Sequence, residues 1–142
     1  MANPSRSLLN HCAIFANSLD RSIAFYGEVF GLTVKNRWQE IVLATGGSEQ
    51  RLTMPGVHLE DSAGHLIEIF ENTEATEGRH DERPVNHFAF EVEDVASVYQ
   101  NALAAGAAPD TPPSMVTAGS LRAEIAFIRG PDGERIELLR AL

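Results

Sequence analysis

Apolar positions along the chain recur in two sets that run in the same order. Residues 9–15 form a short apolar run of β character. Ser18 or Asp20 can then cap a helix that carries Leu19, Ile23, Tyr26 and Phe30 along one face and ends at Gly31. Extended patterns follow at 33–38, 51–60 and 64–71, the last two joined by a turn around Asp61-Ser62-Ala63-Gly64. Pro55-Gly56 is expected to bulge or interrupt the middle one, because proline cannot donate to a ladder. From Val85 the order returns: a strand to Val92, Asp94 as cap for a helix carrying Val95, Val98, Ala102 and Leu103, a stop at Gly106, a strand at 121–128, a turn at Pro131-Asp132-Gly133 and a last strand at 135–139. Pro109, Pro112 and Pro113 leave open whether another strand lies within 107–120. The pattern predicts an α+β fold, one domain over 1–142 made of two paired βαβββ modules, 8–74 and 84–142, whose sheets curve into a cup.

The two sets are copies. Leu9-Asn10-His11-Cys12-Ala13-Ile14 is matched by Val85-Asn86-His87-Phe88-Ala89-Phe90, 76 positions on, and the same offset maps Leu19 onto Val95 and Ile23 onto Tyr99. Gly64-His65-Leu66-Ile67-Glu68-Ile69 is echoed by Gly133-Glu134-Arg135-Ile136-Glu137-Leu138 at an offset of 69. A strand alternates its side chains between faces, so His11, Ala13 and Phe15 share one face and Cys12 and Ile14 the other. The helix is expected to cover the greasier face, with Cys12 buried under it. His11, His87, Glu68 and Glu137 then look into one cavity.

A carboxylate in mid-strand among Ile, Leu and Phe loses several kcal/mol of hydration unless something pairs with it. Two such glutamates and two imidazoles make a mixed nitrogen and oxygen donor set suited to a divalent first-row cation: nickel, cobalt, zinc, manganese or ferrous iron. The shared offsets lift these four above ordinary core or rim residues. His58, His65 and His80 have no counterpart in the other half and are expected at the surface. Trp38, Arg37, Met54, Phe127 and Arg129 either line the cavity or cover the sheet. Gly46-Gly47 has no lysine after it and is no phosphate loop.

Composition narrows the partners. Twenty acidic against eleven basic residues leave a formal charge of -9, which repels nucleic-acid phosphates and anionic membranes, and much of the excess lies in the connector 71–84. No apolar run approaches the roughly 18 residues of a membrane helix. One cysteine cannot form an internal disulfide, and with no secretory signal at the start a cytoplasmic location is expected.

Taken together, Asn10-His11, the segment Leu19-Asp20-Arg21-Ser22-Ile23-Ala24-Phe25-Tyr26 with Phe30-Gly31-Leu32, Gly64 to Ile69, Asn86-His87 to Val92, and Pro131-Asp132-Gly133 through Leu138 resemble the vicinal oxygen chelate superfamily. That superfamily includes glyoxalase I, methylmalonyl-CoA epimerase, extradiol dioxygenases and bleomycin resistance proteins. The resemblance covers nearly the whole chain. It implies a metal-bearing cup with His11, Glu68, His87 and Glu137 as ligands. The order His, Glu, His, Glu is similar to glyoxalase I, a metal-dependent lyase acting on a small molecule by proton abstraction next to a carbonyl, with an enediolate stabilised. That implies catalytic roles for Glu137, as base, and for Glu68, as second ligand or acid-base partner. An extradiol ring-cleaving dioxygenase and a metal-free drug-sequestering protein are the alternatives. In relatives of this size the halves pair within a chain or across a dimer, and a homodimer is expected.

Overall fold

The computed structural model describes residues 7–72, 85–130, 133 and 135–142. His80, most of the acidic connector, and Pro131 and Asp132 of the anticipated turn lie outside them, as does the side chain of Phe30. The first module runs β1 (Leu8–Ala16), α1 (Leu19–Phe30), β2 (Thr33–Thr45), β3 (Ser48–Glu60) and β4 (Leu66–Glu71). The second repeats it as β5 (Val85–Glu91), α2 (Val95–Ala104), β6 (Ala108–Ala118), β7 (Leu121–Arg129) and β8 (Arg135–Ala141). The expected cup is a closed barrel in the order β1, β4, β3, β2, β6, β7, β8, β5. Each module contributes a four-stranded arc, and the arcs meet through two antiparallel ladders, β1 with β5 and β2 with β6. Both halves come from one chain, so a second copy is not needed to close the cup.

Local signals act where the sequence puts them. Ser18 accepts the amide of Arg21 and Asp94 that of Ser97, so each helix begins at an oxygen that satisfies an otherwise free donor. Gly31 ends α1 in the left-handed region at φ 71°. Asp61 Oδ1 accepts the amides of Ala63 and His65 and shapes the turn between β3 and β4. Leu19 and Ile23 of α1 pack on Val57, Leu59 and Ile69, and Val95 and Tyr99 of α2 pack on Ala126, Ile128 and Leu138. The three strand positions under α2 lie 69 residues after those under α1, so the duplication reaches the core.

The segment 107–120, left open by its prolines, holds strand β6, and the prolines are tolerated for a visible reason. Pro112 and Pro113 sit in a register shift between Thr111 and Ser114, and only Met115 to Ala118 ladder onto β2, so the prolines withhold no donor from that neighbour. The interruption expected at Pro55 is a register shift between the pairs Trp38 with Gly56 and Glu40 with Thr53. Cys12 departs from expectation: it is exposed. The contacts of α1 run mainly to β2, β3 and β4, which leaves the outer face of β1 beside β5 uncovered at that point. Among the described residues no helix is long and apolar enough to cross a membrane.

Gly56 lies against the Trp38 indole, and a Cβ there would stand 2.8 Å from Nε1 and closer still to two ring carbons. An aromatic ring wedged at 5 % exposure has little room to move. Gly56→Ala is expected to destabilise the fold by about 1–3 kcal/mol, the usual cost of overpacking, read as a lowered urea midpoint with an unchanged slope.

Candidate metal centre

The ladders that join the modules also assemble the site. Across β1 and β5, His11 faces Ala89 and Ala13 faces His87. Across the parallel ladders on either side, Ala13 lies beside Glu68 and Ala89 beside Glu137. Two rows therefore cross the barrel, one of Glu68, Ala13 and His87 and one of Glu137, Ala89 and His11. The alanines, both at 0 % exposure, are the small members that let the longer side chains of each row lean together over them.

The four side chains singled out by the offsets converge. His11 Nε2 and His87 Nε2 lie 3.1 Å apart. Glu137 Oε2 is 3.0 Å from the first and 3.2 Å from the second, and Glu68 Oε1 is 3.5 Å and 3.4 Å from them. All four residues are buried, and the donor atoms of His11, Glu68 and His87 fall within 4.8 Å of one another.

The imidazoles are oriented from behind by another duplicated pair. His11 Nδ1 lies 2.7 Å from Asn10 Oδ1 and His87 Nδ1 2.6 Å from Asn86 Oδ1. Asn10 donates its amide hydrogen to Glu91, and Arg135 donates to Asn86 Oδ1, so each amide presents oxygen, an acceptor, to its histidine. Each Nδ1 then carries the hydrogen and each Nε2 aims a lone pair at the same point. Two lone pairs 3.1 Å apart repel, and Glu137 Oε2 is buried with no partner of hydrogen-bonding geometry among the described residues. A cation resolves both conflicts, either a proton shared by the rings or a divalent ion. The donor set fits the ion.

The charges respond accordingly. Burial lowers the pKa of His11, but the charge of Glu68 and the close approach of both glutamates outweigh it and raise it to about 10. His87 is raised against the same burial by Glu137 and Glu68. Burial pushes Glu68 and Glu137 up, yet the nearby histidines hold both below the ordinary carboxylate range.

One expectation about the histidines is overturned. His58 is buried at 5 % exposure, and its Nε2 lies 2.7 Å from Glu68 Oε2. The signal was in the hairpin: the turn at 61–64 sets β3 against β4 so that His58 pairs with Glu68, which puts both on one face. His65 is exposed as expected and pairs with Asp61. A cavity of about 180 Å³ borders the site on one side, walled by Trp38, Leu43, Met54, Phe70 and Phe127, with Arg135 at its edge. Arg37 and Arg129 instead pair with Asp20 and Asp110 on the surface. A second cavity of about 340 Å³, more polar and touching Lys35, His58 and Arg122, borders His11.

Residues 8–138 match the family model of the Glyoxalase/Bleomycin resistance protein/Dioxygenase superfamily. The chain is 30 % identical over 141 residues to a probable lactoylglutathione lyase of Vibrio parahaemolyticus, covering 96 % of this chain and 92 % of that one. It is 27 % identical over 131 residues to a probable lactoylglutathione lyase of Vibrio cholerae, covering 92 % and 88 %. Its fold is similar to that of methylmalonyl-CoA epimerase from Mycobacterium tuberculosis, with a TM-score of 0.75 at 18 % identity over 100 % of this chain and 93 % of that one.

A histidine whose folded-state pKa is raised stabilises the fold fully below its unfolded value near 6.5, and that contribution is lost as pH rises through about 10. Chelator-treated protein should therefore melt at progressively lower temperature as pH is raised from 6.5 to 10. Zinc or nickel at saturating concentration is expected to flatten that slope, because an ion takes the proton's place. Thermal melts across the pH series check both expectations.

Proposed function

Because the chain belongs to the Glyoxalase/Bleomycin resistance protein/Dioxygenase superfamily, we propose that it is a metal-dependent lyase or isomerase of the glyoxalase type, moving a proton next to a carbonyl of a small organic substrate. The observation that carries this reading is Glu137 Oε2, a buried carboxylate oxygen with no hydrogen-bond partner among the described residues, beside two imidazoles that aim their free nitrogens at one point. The names of the Vibrio relatives support the same reading.

His11, His87, Glu68 and Glu137 would hold the ion, with Asn10 and Asn86 keeping each imidazole in the tautomer that can ligate. A divalent cation supplies positive charge that polarises a carbonyl oxygen and acidifies the neighbouring C–H bond. Glu137 is held ionised, which is the state a base requires. It would take the proton from the hydroxyl-bearing carbon beside the carbonyl and return it to the carbonyl carbon, while the hydroxyl proton passes to the former carbonyl oxygen, so the substrate is isomerised without any oxidant. Trp38, Phe70 and Phe127 keep bulk water from the reacting atoms.

A hemithioacetal assay on the nickel- or zinc-loaded full chain tests the proposal. Turnover is expected, and Glu137→Gln is expected to lower kcat by about 10²–10⁴-fold, the usual worth of a general base, while the ion remains bound. Oxygen uptake with ferrous iron and a catechol, in place of turnover, would redirect the assignment to ring cleavage. A chain that takes up no divalent ion yet binds a drug-like molecule would overturn it.

A further inference from the structure

The two rows that build the site differ in one member. Extended outward by a strand, the first gains His58, which pairs with Glu68 across β3 and β4, and the second gains Phe127, which pairs with Glu137 across β7 and β8. Phe127 lies 69 positions after His58, the same offset that relates the glutamates, so the phenyl ring stands where the other half has an imidazole. The substitution changes what each carboxylate can do. Glu68 accepts a hydrogen bond from His58 Nε2 through Oε2 at 2.7 Å, which leaves Oε1 facing His11 and His87. Phe127 has no hydrogen to donate; its ring meets His87 edge-on at 5.1 Å and carries the Arg135 guanidinium at 3.8 Å. Glu137 thus turns Oε2 toward His11 and His87, as Glu68 turns Oε1, but its counterpart of His58 is a ring that cannot grip the other oxygen.

His58 is itself held. Its ring meets Trp38 at 4.8 Å, and its cross-strand neighbour Asn36 is fixed by donating to the carbonyl of Ala118 and accepting the amide of Ser120. An imidazole so clamped restricts the rotamers of the carboxylate it grips, and a restricted ligand loses less freedom on binding an ion.

We propose that His58 is a positioning residue that breaks the two-fold symmetry of the site, fixing Glu68 as the standing ligand and leaving Glu137 as the carboxylate free to swing. The inference rests on the metal-dependent reading above and deepens it, because it says which glutamate stays and which moves.

The test uses metal-stripped full-length protein titrated with Zn²⁺ by calorimetry and with Co²⁺ by visible absorption. Glu68→Gln and Glu137→Gln are each made in the parent chain and in His58→Phe, the residue that the other half tolerates at this place. In the parent, E68Q is expected to weaken Zn²⁺ binding more than E137Q. H58F is expected to weaken it by about 10–100-fold, the usual worth of a group that orients a ligand, and to erase the difference between the two glutamine variants. His58→Gln, which keeps a donor, should recover most of that affinity, which separates positioning from packing. Thermal melts establish that each variant is folded; should H58F fail to fold, H58Q together with Phe127→His, which offers Glu137 a partner, decides the matter. F127H is expected to raise the cost of E137Q to that of E68Q and to change the Co²⁺ spectrum. Equal costs for the two glutamines in the parent, or an F127H variant that leaves both costs and spectrum unchanged, would overturn the inference while the metal reading stands. Failure of the parent chain to take up either ion would remove the metal reading and this inference with it.

Discussion

Two carboxylates inside a barrel govern this molecule. Glu68 and Glu137 are 7 % and 6 % exposed, and each would lose several kcal/mol of hydration without compensation. Compensation comes from His11 and His87, held by Asn10 and Asn86, and the strand order serves that end. The histidines need β1 and β5 as antiparallel neighbours, and each glutamate needs a parallel strand on the flank, which is the arrangement around the barrel. Small residues at positions 13 and 89 complete it. Either alanine replaced by a branched side chain would put bulk where the long side chains lean together.

The duplication made most of this legible. One copy of an Asn-His strand or of a buried glutamate carries little information, whereas the repeated offsets of 76 and 69 tied four residues and the helix faces to a common frame. Strand alternation then assigned their direction, and it succeeds because period-two geometry is local. It succeeded less well for Cys12, whose exposure depends on which strands α1 covers, a property of the whole sheet.

His58 was obscured for a different reason. All of Pro55 to Leu59 is buried, so the alternation that identifies a face in a half-exposed strand has no contrast here. A search for repeated ligands also passes over it by construction, since its equivalent is Phe127. The departure from symmetry carries information that the symmetry cannot: identical halves offer no reason for one glutamate to behave differently from the other. Strand β6 was hidden by its prolines, whose effect depends on whether a neighbour needs their missing donors, and β2 reaches only as far as Met115.

Around the barrel, the strands that carry the four candidate ligands form one continuous arc, β4, β1, β5 and β8, while most of the apolar cavity wall comes from the opposite arc, β3, β2, β6 and β7. His58 of β3 and Phe127 of β7 apart, reactivity and molecular fit are thereby encoded on separate stretches of backbone. Evolution can reshape Leu43, Met54 or Val116 to admit a new compound without disturbing the charged floor, so a lineage on this scaffold diversifies by changing its walls.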